Sequence, residues 1–218
     1  MSFSLVELRT RFLEAQLRGD RRRASAIVLD EGLSAGAAVD DLHEHVLQGA
    51  QREIGRLWEE NRISVAQEHM ATAIAGLVLT QLFERAPSAP RNGKRVLVAC
   101  VEGEKHDFPA RLVADALDLA GFGVSFLGAD VPIESLVRMI DEDRPDLVAL
   151  SATMSLHAPA LRNEVKAIRD RFGKSLLLAA GGGALVWAPT LGRELDLDIV
   201  ANDAKSLVVE ARRQLEIP

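Results

Sequence analysis

The sequence has one cysteine, Cys100, so no disulfide can form within the chain. Its place inside the apolar run Val96 to Val101 marks it as a buried thiol. A net positive charge is also lacking: 26 Lys and Arg are outnumbered by 32 Asp and Glu. The formal net charge is -6 with a pI near 5.4, whereas a nucleic-acid-binding face shows as a basic patch or a basic domain. The one basic cluster, Arg21-Arg22-Arg23, is short and reads as a solvated helix face, so no direct nucleic-acid binding is expected. No apolar stretch approaches the ~18 residues of a membrane span, and the capped, acidic beginning does not resemble a signal peptide, so the expected location is cytoplasmic. Neither Gly-x-Gly-x-x-Gly after the first strand nor Gly-x-x-x-x-Gly-Lys-Ser/Thr is present, which argues against a dinucleotide or triphosphate site.

What is present is a chain of 218 residues with 48% hydrophobic content, enough for a sizeable core, whose two halves have different periods. Positions 1–86 predict four helices with short connections, a small bundle. Ser4 with Glu7 and Ser64 with Gln67 have capping-box spacing, Asp20 can cap the second helix, and Gly19 and Gly32 are placed to close the first two. A third helix is predicted over Val39 to Glu60, with Leu42, Val46, Ala50, Ile54 and Trp58 recurring every four residues. The fourth carries Met70, Ile74, Leu77 and Val78 on its apolar face. Residues 87–94, within a stretch that has Pro87, Pro90 and Gly93 and no apolar period, predict a linker.

Residues 95–218 alternate strand and helix. The predicted strands are Arg95 to Val101, Gly123 to Leu127, Leu147 to Leu150, Ser175 to Ala180 and Asp198 to Val200. Near-continuous apolar strands separated by helical segments predict a five-stranded parallel sheet covered on both faces, a doubly wound α/β fold of flavodoxin-like (Rossmann-like) type. Ligands of such folds lie beyond the carboxyl ends of the strands, where strand order reverses. Three polar or glycine-rich stretches fall there: Glu102 to Asp107, Ser151-Ala152-Thr153 and Gly181-Gly182-Gly183. The glycines admit close approach to the backbone. His106 follows a strand end two residues after Glu104, a carboxylate able to hold its other ring proton. One imidazole cannot hold a bare zinc or iron ion, and no Cys or His cluster supplies the remaining donors, so a metal here would arrive mostly pre-ligated. His43, His45 and His157 have no motif support and read as surface or loop residues, and Trp187 as packing.

Gly103-Glu104-Lys105-His106-Asp107-Phe108-Pro109, followed by Ser151-Ala152-Thr153 and Gly181-Gly182, resembles the cobalamin-binding domain, whose pattern is Asp/Glu-x-His-x-x-Gly, then Ser-x-Leu, then Gly-Gly. The resemblance continues through Leu119 to Val124, Leu127 to Pro132 and Asp203-Ala204. In the helical half, Gly55 to Trp58 and Ile63 to His69 resemble the cap bundle of methionine-synthase-like modules and, more narrowly, of light-sensing regulators of the CarH type. It implies cobalamin as cofactor, adenosylcobalamin favoured over the methyl and hydroxo forms. His106 would be the lower axial ligand to cobalt with Glu104 behind it and Asp107 beside it, and Ser151, Thr153, Gly181 and Gly182 would line the channel for the displaced nucleotide tail. Trp58, Glu68 and His69 would meet the upper ligand, His69 being a second candidate ligand on that face. His69, Ala73 and Gly76 share one side of the predicted helix, leaving room beside the histidine. Three positions depart from the pattern: Pro109 stands for the final glycine of the histidine motif, Thr153 for the apolar residue of Ser-x-Leu, and Glu59 follows Trp58 where the CarH type has a histidine.

The resemblance implies a light- or cobalamin-responsive regulator more than an enzyme. The helical half begins almost at Met1, which leaves no room for the DNA-binding segment of the CarH type. Signalling is therefore expected through a protein partner, such as a transcription regulator, or through a change of homo-oligomeric state. The alternative is a corrinoid methyl-carrier subunit that serves a methyltransferase.

Overall fold

A computed structural model describes residues 4–217, so the expected domain limits at Met1 and Pro218 lie outside the described residues. The chain divides between Pro87 and Ser88 into two compact units. The first consists of helices α1 (Leu5–Leu17), α2 (Arg21–Leu29), a rod made of α3 (Val39–Asp41), a π-helical segment (Leu42–Gln48) and α4 (Gly49–Glu59), and then α5 (Val65–Arg85). Local chemistry starts and stops these rods. The Asp20 side chain accepts from the Arg23 amide at 2.9 Å, and Ser64 and Gln67 form both halves of a capping box. Gly19, at φ +71°, reverses the chain after α1. Gly32 does not close α2 as expected: the helix stops at Leu29, and the left-handed residue is Gly36, after the short 3-10 turn Leu33–Ala35.

The four-residue stripe explains the unusual third rod. On an α-helix such a stripe drifts by ~40° per step, and the wider π turn takes up that drift. Leu42, Val46, Ala50 and Ile54 accordingly all stay in the core, whereas Trp58 emerges with 41% of its surface exposed. On α5 the buried face is Ala71, Ile74, Ala75, Val78, Leu79 and Leu82; Met70 and Leu77, expected there, are exposed because the stripe lies on their neighbours.

The second unit is a five-stranded sheet of order β2-β1-β3-β4-β5, with every pair parallel. Its strands are β1 (Arg95–Cys100), β2 (Gly123–Phe126), β3 (Leu147–Ser151), β4 (Leu177–Gly181) and β5 (Ile199–Ala201). The helices between and after them are α6 (Phe108–Leu119), α7 (Ile133–Asp143), α8 (Ala158–Phe172), α9 (Gly183–Trp187), α10 (Pro189–Glu194) and α11 (Ala204–Gln214). The limits differ from those predicted by one or two residues, most at β4, which starts at Leu177 because its ladder begins opposite Leu147.

Side chains of β1 alternate between two cores. Val96, Val98 and Cys100 pack with α6 and α11; Leu97, Ala99 and Val101 pack with α7 and α8. The strand order reverses between β1 and β3, where Cys100 lies opposite Ser151 and Ser151 opposite Gly181. The carboxyl ends of the three strands therefore form one row, and the loops that follow them converge. The segment after Pro87 is tied to this unit: Ala89 N–H donates to Leu119 O and Asn92 N–H to Gly121 O. Gly121, at φ +94°, is required here, since a Cβ would lie 2.3 Å from the Pro90 carbonyl oxygen. Among the described residues no helix is long and apolar enough to cross a membrane.

His43, expected at the surface, is buried in the π segment, and neither ring nitrogen has a hydrogen-bond partner. Burial pushes its pKa down to about 4, with Asp40 opposing the shift. Because the folded value lies below the unfolded one, the unfolded chain takes up the proton first, and stability falls as pH drops from about 6.5 toward about 4. Thermal or urea unfolding should show the helical unit losing about 2 kcal/mol between pH 7 and pH 5. His43→Leu should abolish that dependence and raise stability at pH 7 by about 1–3 kcal/mol.

Candidate functional site

Glu104 is the centre of the three converging loops. Its carboxylate is fully buried, and its two oxygens fill different needs. Oε1 accepts from the His106 amide at 2.9 Å and faces His106 Nδ1 at 2.5 Å. Oε2 accepts from the amides of Thr153 at 2.8 Å and Met154 at 2.9 Å, on the loop after β3. Four donors occupy a group that has about four acceptor sites. Burial would raise its pKa, but the bonds from His106 and Met154 outweigh it and hold the carboxyl at about 2. An ionised carboxylate accepts only, so His106 Nδ1 is the donor in this contact and the ring is oriented by it. The His106 side chain is half exposed, at 54%.

The rest of the loop is pinned from below and from the side. Gly103 N–H donates to Asp130 Oδ1 at 2.7 Å, and Asp130 N–H returns a bond to Glu104 O at 2.8 Å. Glu102 N–H donates to Glu164 Oε1 at 2.7 Å. Asp107 occupies the N-cap position of α6 without a side-chain capping bond, and Pro109 stands in the first turn, where its missing N–H has no helical partner to lose. Cys100, beneath the loop, is pushed up to about 12 by burial and then by the neighbouring carboxylates, so it remains a protonated, unreactive thiol.

Ser151 is buried at the end of β3. Thr153 Oγ1 is buried with no hydrogen-bond partner, a polar atom still to be satisfied. The glycines serve close approach of backbone to backbone. A Cβ at Gly182, whose φ is +107°, would lie 2.3 Å from Ala152 O, and one at Gly183 would lie 2.5 Å from Thr153 O. The loops after β3 and β4 are thus pressed together.

Two residues behave differently from expectation. His157 is not a surface histidine: its ring lies 3.3 Å from where a Cβ on Gly103 would stand, and Nε2 is 3.9 Å from Glu104 Oε2. Gly103, at φ +83°, adopts a left-handed conformation that side chains disfavour, and a Cβ there would also crowd the His157 ring. Trp187, expected to pack, is 80% exposed at the end of α9, with Val186 beside it and Leu156, in the short turn after β3, also exposed. Sequence reasoning missed Glu164 and the anchoring role of Asp130. Glu164 had a local signal: it stands among Leu161, Val165 and Ile168, on the buried face of α8. In the helical unit, Trp58 and His69 are exposed, and Glu68 Oε2 faces His69 Nδ1 at 2.5 Å. A Cβ on Gly76 would meet nothing within 4 Å, so the side shared with His69 and Ala73 is open.

Among the described residues no group of three His, Cys, Asp or Glu side chains can hold a metal ion. The donor set is one oriented imidazole, together with an unsatisfied hydroxyl and a tightly packed glycine turn, and it fits a metal that brings most of its ligands with it. Residues 94–211 match the family model described as B12 binding domain, and residues 8–82 match a second model with the same description. The chain belongs to the B12-binding family. It is similar to trimethylamine corrinoid protein 2 of Methanosarcina mazei, 29% identical over 206 residues that cover 88% of this chain and 89% of that protein. It is also similar to the HTH-type transcriptional repressor CarH of Myxococcus xanthus, 32% identical over 177 residues, 81% of this chain and 58% of the repressor. The structure of the monomethylamine corrinoid protein of Methanosarcina barkeri matches with a TM-score of 0.79 at 22% identity, over 99% of this chain and 100% of that one, and shows the same fold. Cobalamin binding follows from family membership, and the expected fold, helical unit and parallel sheet together, is the one observed.

Glu164 gives this site a pH signature of its own. Oε2 is buried without a partner, and burial raises the carboxyl to about 7 despite the bond from Glu102. The folded form holds its proton where the unfolded chain has lost it, so stability falls as pH rises from about 4.5 to about 7 and is level above. Urea unfolding should lose about 2–3 kcal/mol between pH 5 and pH 8 through this group. Glu164→Gln, which keeps the acceptor for Glu102, should remove that loss.

Proposed function

We propose that the chain is a corrinoid carrier subunit that holds cobalamin through His106 and presents it to a methyltransferase partner. The observation that carries this reading is the Glu104–His106 pair, an imidazole fixed in tautomer and direction at the end of β1 while half exposed. The bound corrinoid would supply a cobalt centre able to accept and donate a methyl group. Glu104 would hold the Nδ1 proton of His106 and leave Nε2 as the atom that would hold the cobalt, while Asp107, Ser151, Thr153, Gly181 and Gly182 would accommodate the displaced tail. Trp58, Glu68 and His69 are assigned to the upper side. The similarity to corrinoid proteins over nearly their whole length supports this reading.

A second reading, a light-responsive sensor that acts on a transcription regulator, is favoured by the similarity to CarH and by Trp58 and Glu68-His69 in the helical unit. Glu59 in place of a histidine after Trp58 weighs against it. Titration with methyl-, hydroxo- and adenosylcobalamin separates the two. A carrier should bind all three within about tenfold of one another, keep its elution volume after green light, and lose at least about tenfold in affinity on His106→Ala. A strong preference for the adenosyl form with a light-driven change of elution volume would establish the sensor instead. Unchanged affinity in His106→Ala would remove both.

A further inference from the structure

The basic run Arg21-Arg22-Arg23 opens α2 against the helix's own field. The amino end of a helix carries partial positive charge, so three cations in its first turn weaken it, and no acidic residue stands in that turn to offset them. Arg23 pairs with Glu31, which it shares with Arg11. Arg21 and Arg22 have no ion-pair partner among the described residues, although the chain as a whole is acidic. Both line a groove of about 360 Å³ between α2 and α5. Arg85, in the last turn of α5, also lines it and is held loosely: Asp30 is 3.5 Å away, and both side chains are more than half exposed. Three guanidinium groups against one carboxylate leave the lining two positive charges in excess. The Ser25 hydroxyl donates to Gln81 Oε1 at 2.7 Å, which joins α2 to α5 within the groove and leaves the Gln81 Nε2 hydrogens without an acceptor among the described residues. Leu29 and Leu77 add an apolar strip, the first buried and the second 39% exposed.

We propose that this groove docks an acidic segment of a partner protein, one that carries two carboxylates about a helical turn apart with an apolar side chain between them. The carboxylates meet Arg21, Arg22 and Arg85, whose planar forks suit paired hydrogen bonds to a carboxylate, and the apolar side chain covers Leu77. Charge complementarity selects the sign of the occupant, and the shape selects its kind. Leu77 to Arg85 covers about 12 Å of α5, longer than one small anion. The apolar strip offers nothing to a phosphate backbone, and Asp30 repels a dense run of phosphates where a segment with two charges can avoid it. His69, Ala73 and Gly76 lie about a third of a turn away around α5, so a partner can hold the groove and leave that side of the helix uncovered. No residue of the groove is assigned to the cofactor, and the inference goes beyond the carrier reading without depending on it.

The test uses the full chain and a capped helical peptide with glutamates at positions i and i+4 and leucine between them, compared with the same peptide carrying glutamines. The acidic peptide should bind about tenfold or more tightly than the glutamine form, weaken as salt is raised, and shift the Gln81 side-chain amide in ¹H–¹⁵N spectra. The double variant Arg21→Glu/Arg22→Glu should lose about tenfold or more, and so should Arg85→Gln. Glutamates suit the start of a helix, so the double variant should keep its fold, which circular dichroism checks. Arg138→Glu, the same change of charge at an exposed position of α7, should leave the affinity within about twofold. Equal affinity for the two peptides, no binding of either, or an equal loss in Arg138→Glu would overturn the proposal. Displacement of the peptide by inorganic phosphate at the same concentration would overturn it too, as the mark of a free-anion site. Cobalamin titration of the same proteins keeps the two readings apart: corrinoid binding without a preference for the acidic peptide removes the docking groove alone, and peptide binding by a chain that takes up no corrinoid removes the carrier reading alone.

Discussion

The buried carboxylate of Glu104 joins the loop after β1 to the loop after β3 across the place where strand order reverses. A lone carboxylate in that position would be prohibitively costly, so its four donors are the condition for its being there at all. Removing any of them would leave a buried charge short of a partner, which is why the loops must close on it as a unit. From this follow the orientation of His106, the proximity of Thr153 to the site and the lack of space that makes Gly182 and Gly183 glycines. An aspartate would reach less far, and the longer glutamate is what lets one carboxylate serve an imidazole on its own loop and two amides on the next.

The architecture was legible because its determinants are local. Apolar runs such as Val96 to Cys100 and Leu147 to Leu150 state that both sheet faces are covered, and the Asp20 and Ser64 caps mark helix starts. Strand ends mark the loops, so the sequence alone groups Glu104, His106, Ser151 and Gly181. What escaped depends on partners far along the chain. His157 lies against a loop some fifty positions earlier, Asp130 binds across a strand and a helix, and hydrogen bonds from Gln16 through Gln51 and Thr72 to Glu68 join three helices. No periodicity reports such pairings. The glycines read as room for a ligand, and Gly182 and Gly183 also let the loops after β3 and β4 pack backbone to backbone, a pairing the sequence does not report. The four-residue stripe predicts a plain helix over Val39 to Glu60, and the π segment within it is not legible there because over short lengths the stripe suits an α-helix nearly as well.

Both units hold polar groups at some expense of stability. His43 has no partner for its ring, and Glu164 leaves one oxygen unsatisfied directly beneath the loop that carries His106. Their titrations run in opposite directions, so the two units should respond oppositely as pH moves between about 5 and 8. Glu164 binds the Glu102 amide in either protonation state, which suits a support that must stay in place while solution conditions vary.

The proposed carrier role requires a bond from the His106 ring to the cofactor's metal. Electron paramagnetic resonance of the chain loaded with the one-electron-reduced corrinoid reads that bond through coupling to the axial nitrogen. With all histidines labelled with ¹⁵N and the cofactor unlabelled, each line should split as a doublet in place of the unlabelled triplet. A triplet that survives the labelling would mean the cofactor's own base holds the lower position, and the assignment of His106 would be wrong.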